Sequence, residues 1–290
     1  MDLKNPAAVQ GVLLTLAYDG TDFHGLVLQA NARSVAGDLL RAIRMLDPQP
    51  SSFRCVSRTD TGVHARAQLV AFDSTRTISP RGWVLGLARY LPDSIAPRFA
   101  TIVPVGFDPR GYAKHKWYRY TLLRDCRRDP FVGSMSWRIG GPLDLDLARA
   151  EATSLVGTHD FAAFRSAADE RVTTLRTITD ISIEVGHDPR LVFVDVRGNG
   201  FLHNMVRIIV GTLVDVARGK LPPGTMARAL TSLDRRHLGV TAPAHGLCLE
   251  RVDLDHDLDG MPTWPNPGQV LPEGAQPLCN RRPSVSTEDS

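Results

Sequence analysis

The chain has 290 residues, room for one large hydrophobic core or two ordinary ones, and two is the expected number. Its 43% hydrophobic and 22% charged content is that of a soluble globular protein, and excludes both a membrane-embedded chain and a disordered polyelectrolyte. The net charge is +3; residues 257–290 carry −3 of their own, so the remainder holds +6, which favours a polyanionic partner.

Val12–Tyr18 is an apolar, β-rich run that stops at the turn pair Asp19-Gly20, so it predicts a first strand. It is too short to span a membrane and lacks the flanks of a signal peptide. With Ser34 as cap, Val35, Leu39, Leu40, Ile43 and Leu46 fall on one helical face. Phe53–Ser57 and Gln68–Phe72 predict short strands around the polar stretch Arg58–Arg66. Pro80 opens a helix carrying Trp83, Leu87 and Leu91 on one side and closed by Pro92, and Thr101–Val105 is a further strand. Strand, helix, strand, strand, helix, strand is a ferredoxin-like order. A second pass follows: a strand at Lys116–Leu123, a helix at Leu145–Val156 and strands at Thr177–Val185 and Leu191–Arg197. Helices at Phe201–Val216 and Met226–Leu233 and a last strand at Gly246–Val252 complete it. The pattern predicts an α+β chain with two ferredoxin-like (RRM-like) mixed-sheet domains, residues 1–108 and 109–256. Residues 257–290, rich in Pro, Gly, Asn and Ser and without periodicity, are expected to be a disordered tail. The four cysteines (Cys55, Cys126, Cys248, Cys279) form no CxxC pair, which argues against a zinc ribbon and fits a reducing cytoplasm.

The polar turn Arg58-Thr59-Asp60-Thr61-Gly62-Val63-His64-Ala65 lies between two apolar strands, with Gly62 free to take a positive φ. An aspartate in such a turn can cap backbone N–H groups, and Arg58 beside it can hold it ionised. In Lys116–Tyr120 alternate positions share a sheet face, which groups Lys116, Tyr118 and Tyr120. The stretch 110–128 holds seven bases against the single acid Asp125, with Trp117, Tyr118 and Tyr120 interleaved, a pattern suited to phosphates and stacked bases. On the helix expected from Phe201, His203 and Arg207 leave the apolar stripe and share another face. Gly198 and Gly200 before it can admit a phosphate to its first N–H groups or simply make a turn.

The octapeptide 58–65 closely resembles the signature of the tRNA pseudouridine synthase A family, G-R-T-D-x-G-V-H-A. Tyr18–Gly25 resembles that family's opening motif. Phe107-Asp108-Pro109-Arg110 with Lys116-Trp117-Tyr118-Arg119-Tyr120 resembles its central pair. Gly157–Phe161, Gly200–Arg207 and Ala242–Leu247 resemble its later motifs, in the right order over most of residues 12–252. The resemblance implies an enzyme that isomerises uridine to pseudouridine in the anticodon arm of tRNA, positions 38 to 40. The N1–C1′ bond must break, the uracil rotate and rejoin through C5. An ionised carboxylate can attack C1′ or stabilise its cationic character, and the sequence leaves both open. By resemblance Asp60 is that carboxylate. Tyr118 stacks on the uracil and assists removal of the C5 proton, and Arg207 keeps Asp60 ionised and oriented. Arg58 is implied as an RNA contact that helps open the base stack; Arg110, Lys114 and Lys116 are expected RNA contacts from the basic stretch. No redox equivalent or phosphoryl group is exchanged, so no cofactor and no metal is expected. A homodimer with the RNA spanning both subunits is implied as well.

The sequence departs from the family's pattern in places. Leu26 and Val27 stand where Trp and Gln usually follow the opening glycine, Ser57 precedes Arg58 where the signature has Gly, and Ala36 replaces a common Gln. Two rival readings are an RNA-binding relative without catalysis, and a nucleoside hydrolase or phosphodiesterase using Asp60 with His64 or a metal. Retention of Asp60, Tyr118 and Arg207 argues against the first, and the lack of a second nearby carboxylate or ligand cluster against the second.

Overall fold

The computed structural model describes residues 7–169 and 171–255. Its strands and helices alternate as expected: β1 (Gln10–Tyr18), α1 (Val35–Leu46), β2 (Ser51–Cys55), β3 (His64–Ser74), α2 (Pro80–Ala88) and β4 (Ile95–Val103). Then come β5 (Ala113–Leu123), β6 (Trp137–Arg138), α3 (Leu145–Thr153), β7 (Gly157–Asp160), β8 (Leu175–Val185) and β9 (Leu191–Gly198). Helices α4 (Met205–Ala217) and α5 (Thr225–Ser232) and the strand β10 (Leu247–Leu254) complete the chain. The expected tail at 257–290 lies outside the described residues.

The fold is α+β, but the two sheets expected from sequence are joined into one. The strand order is β4-β1-β3-β10-β5-β9-β8-β7, with β2 on β3 and β6 on β5. The junction is β10, which returns from the C-terminal half to pair antiparallel with β5 along most of its length. Its other edge pairs parallel with β3 at only two positions, Cys248 with His64 and Leu249 with Ala65. Those two pairs fall immediately after the loop that carries Asp60.

β1 lies between β3 and β4 and is buried on both faces, which is why it reads as an apolar run and not as an alternation. Ser34 caps α1 by accepting the Gly37 N–H at 3.2 Å. Trp83 of α2 meets Phe72 of β3 edge to face at 5.0 Å. One apolar cluster continues from Val12 and Phe72 through Tyr118 and Tyr120 to Ile209 and Leu213. A smaller one, with Leu13, Leu69, Val103 and Phe107, lines the opposite face of the N-terminal half. In α4 every residue but Arg207 is buried. No helix among the described residues is long and apolar enough to cross a membrane.

The helix expected from Phe201 begins at Met205. Asn204, in the left-handed region at φ 62°, turns the chain just before it. Residues 201–204 are therefore loop, and their apolar side chains pack without being helical.

Candidate active site

Asp60 lies in the loop joining β2 to β3, and the opening motif braces that loop. The Thr59 carbonyl accepts the Leu26 N–H at 3.1 Å, and the Gly62 N–H donates to the Phe23 carbonyl at 3.2 Å. A Cβ on Gly20 would sit 2.1 Å from the Val63 carbonyl oxygen, and one on Gly25 2.5 Å from that of Thr59. Glycine is required at both positions because backbone lies directly on backbone. The Tyr18 and Thr59 hydroxyls, both buried, are 2.8 Å apart. His64 is buried too: its Nδ1 accepts the Gly20 N–H, and the Nε2–H this tautomer implies donates to the His245 carbonyl, each at 3.0 Å. His64 is a strut between the opening and closing motifs.

The closing motif serves Arg207 in the same way. Its Nε donates to the Ala242 carbonyl at 2.8 Å and its Nη1 to the Asn204 Oδ1 at 2.7 Å. The same Nη1 stands 3.5 Å from Asp60 Oδ2, and His203 Nε2 stands 3.4 Å from Oδ1. The guanidinium is thus anchored tightly to its own half of the molecule, while the carboxylate is held at looser ion-pair distance. Asp60 remains 29% exposed, with lone pairs free for a further partner. The contact with His203 was missed as a site feature in the sequence. Its signal in the sequence is the helix face that His203 is expected to share with Arg207.

Tyr118 projects from β5 toward the same space, edge to face with Phe201 at 5.3 Å. Burial, with a smaller contribution from the Asp60 charge, pushes its phenol up to about 12, so it is protonated at neutral pH. Tyr120, two positions on, lies under Gly246 and donates to the Pro243 carbonyl at 2.7 Å. Of the three residues grouped on this face, Tyr120 is structural, whereas Lys116 and Tyr118 line the cleft.

The cleft itself has a volume of about 960 Å³ and lies between the β2–β3 loop, β5 and the segment preceding α4. Arg54, Arg58, Arg110, Lys116, Arg171 and Arg207 line it, against the carboxylates of Asp60 and Asp169. Arg54 is spent on a bidentate pair with Asp73. Arg110 pairs with Asp108 at 2.6 Å on the surface. Asp169 organises the far wall: it accepts the His203 N–H at 2.7 Å and faces Arg171, which donates to the Phe201 carbonyl. Arg58 is exposed and makes no ion pair among the described residues. Lys114 is not part of the cleft; it stands 3.3 Å from Asp255 at the surface. The basic stretch 110–128 is likewise divided by the strand's alternation. Arg119 points to the other sheet face, where it forms a bidentate pair with Asp195 and lies over Trp117 and Phe193. No group of three His, Cys, Asp or Glu residues placed to hold a metal occurs among the described residues.

A basic cleft with one accessible carboxylate between an arginine and a histidine has the chemistry of an enzyme acting on a polyanion. The family profile described as tRNA pseudouridine synthase matches residues 152–255. The chain is 44% identical over 241 residues to tRNA pseudouridine synthase A of Geobacter sulfurreducens, covering 83% of this chain and 98% of that protein. It is 42% identical to the protein of the same name from Pelobacter propionicus, with the same coverage. Against that of Halalkalibacterium halodurans it is 40% identical over 242 residues, 83% of this chain and 91% of that one. The chain belongs to the tRNA pseudouridine synthase A family, and is an enzyme that isomerises uridine in tRNA.

Proposed function

We propose that this enzyme converts uridines at positions 38 to 40 of the tRNA anticodon arm to pseudouridine, with Asp60 as the reacting carboxylate and without a cofactor. The observation that carries the reading is the placement of Asp60, accessible on the wall of a basic cleft between Arg207 and His203. Residues 1–108 and 109–256 act as two domains in this reading. The first supplies Asp60 and the second Tyr118 and Arg207, so the site exists only when both are assembled.

The target base must leave its stack before C1′ is reachable, so it enters the cleft flipped. Arg58, exposed and unpaired by any acid among the described residues, takes the vacated position in the RNA or its phosphate. Arg207 orients Asp60 while the carboxylate attacks C1′ or stabilises its positive charge as N1 departs. Tyr118 offers a ring face to the uracil. Being protonated, its phenol can accept the C5 proton only by passing its own onward, so its first contribution is a hydrogen bond and a surface. Arg110, Lys114 and Lys116 follow the RNA backbone outside the reacting centre. A cytoplasmic homodimer presenting two clefts to one tRNA completes the proposal.

Incubation with tRNA carrying uridine at 38, 39 and 40, followed by position-by-position mapping of pseudouridine, tests the assignment. Conversion confined to these positions is the expected result. Conversion only elsewhere would move the target, and free uracil in place of pseudouridine would make the enzyme a hydrolase.

Lys116 gives a separate expectation. Burial lowers its ammonium to about 8, from the 10.5 it has in the unfolded chain, with the Arg171 charge adding to the effect. Between those values the unfolded chain binds a proton that the folded one lacks, so this group's contribution to stability rises with pH. At pH 7 the buried charge is a cost, and Lys116→Met should raise the melting temperature by a few degrees, equivalent to about 1 kcal/mol. The charge is then retained for RNA. Wild-type affinity for tRNA should weaken more steeply from pH 7 to 9 than that of Lys116→Met, as fluorescence binding titrations would read; equal slopes would remove Lys116 from the contacts.

A further inference from the structure

Ser57, where the family signature carries glycine, brings a hydroxyl into the catalytic cleft that the scheme above does not use. It lines the cleft beside Arg58 and Tyr118 and is only 6% exposed. Its backbone is clamped on both sides by the amide of Gln68, itself fully buried. Gln68 Oε1 accepts the Ser57 N–H at 3.3 Å and Gln68 Nε2 donates to the Ser57 carbonyl at 2.8 Å. Two residues on, Thr59 is tied to Tyr18. The segment is therefore rigid, and the direction of the serine side chain is fixed by its neighbours and not by its own bonds.

The Ser57 Oγ is screened from solvent and has no partner in hydrogen-bond geometry. Orphaned buried hydroxyls are uncommon, since each forfeits its bonds to water. The Tyr118 phenol lines the same cleft and is the hydroxyl of the proposed scheme that this side chain can serve. The glycine that the family signature carries at this position provides no such group. A hydroxyl tolerated here without a partner has its role when the cleft is filled.

We propose that Ser57 is a positioning residue for the isomerisation: in the occupied cleft its Oγ accepts the hydrogen bond of the Tyr118 hydroxyl and fixes the phenol against the uracil. No bond is made or broken at Ser57. Its effect is to confine the Tyr118 O–H to one direction during turnover, which a neutral hydrogen bond can support to roughly tenfold in rate. The inference rests on the role given to Tyr118 above.

The test is a comparison of Ser57→Ala and Ser57→Gly with wild type and with Tyr118→Phe. Both serine variants should lose about tenfold in kcat while KM for tRNA stays within about twofold, because the hydroxyl reaches the substrate only through Tyr118. Their melting temperatures should match wild type, since the Gln68 clamp is made by backbone. In protein labelled with 3-fluorotyrosine and saturated with tRNA, the ¹⁹F resonance of Tyr118, assigned from its absence in Tyr118→Phe, should move in both serine variants. Normal kcat in Ser57→Ala and Ser57→Gly would overturn the proposal, as would an unmoved Tyr118 resonance. Full activity in Tyr118→Phe would instead remove the role of the tyrosine itself, a distinct result read in the same series.

Discussion

Asp60→Asn is expected to abolish pseudouridine formation, by on the order of 10⁴-fold or more, while tRNA binding stays within a few fold of wild type. The amide is isosteric with the carboxylate and can still accept from Arg207 through its oxygen, so the loop braced by Phe23 and Leu26 keeps its shape. What disappears is the negative charge. Neither attack on C1′ nor stabilisation of its cationic character survives that loss. Binding should not suffer, because removing an anion from a cleft lined by Arg58, Lys116 and Arg171 makes it more attractive to phosphate. Single-turnover conversion with enzyme in excess, beside a filter-binding isotherm on the same preparation, separates the two quantities. Conversion at wild-type speed would show that Asp60 only shapes its own turn.

The order of elements was legible because each carried its own local signal. Ser34 and Pro80 mark helix starts, and β1 shows its two-sided burial as an unbroken apolar run. The closing of two sheets into one was not legible. It depends on β10 pairing with β3 across more than 180 residues at only two positions, which no local pattern encodes. The start of α4 was misplaced for a different reason. Phe201 and Leu202 continue the helix's apolar spacing, but the chain turns at Asn204, whose residue type is the usual marker of a helix N-terminus. Reading Asn204 as that marker would have placed the boundary correctly. Asn204 makes no capping bond with its side chain, which accepts from Arg207 instead.

In the site, the motif led to Asp60, Tyr118 and Arg207, and all three line one cleft. Charge counting was less informative. The count includes Arg119, which strand alternation sends to Asp195 on the other face, and Lys114, which stands by Asp255 at the surface, whereas Lys116 lines the cleft. His203 and Asp169 come to the cleft through geometry that forms only when segments distant in sequence meet. His203 reaches Asp60 across more than 140 residues, and Asp169 reaches the His203 N–H from a separate loop.

Arg207→Lys is expected to be nearly as damaging as Arg207→Met, with kcat lowered by roughly 10²- to 10³-fold in both although lysine keeps the charge. The guanidinium makes three contacts at once: Nε to the Ala242 carbonyl, and Nη1 to both the Asn204 Oδ1 and Asp60. A planar fork with separate N–H groups can span these. A single ammonium on a flexible stem, satisfied by the buried Ala242 carbonyl, leaves the Asn204 Oδ1 without its donor and Asp60 with only the contact to His203. Loss of the bond to Asn204 matters beyond the site, because that residue holds a left-handed conformation just before α4 and costs energy to keep there. A drop in melting temperature is therefore expected alongside the loss of rate, larger for methionine than for lysine because methionine leaves the Ala242 carbonyl unpaired as well. KM for tRNA should change little in either variant, since Arg207 faces the carboxylate and not the RNA backbone. The measurement is a kcat and KM pair with a thermal melt for each variant. If lysine restored wild-type kcat, charge alone would be what Asp60 needs from this position, and the orienting role assigned to the guanidinium would be wrong.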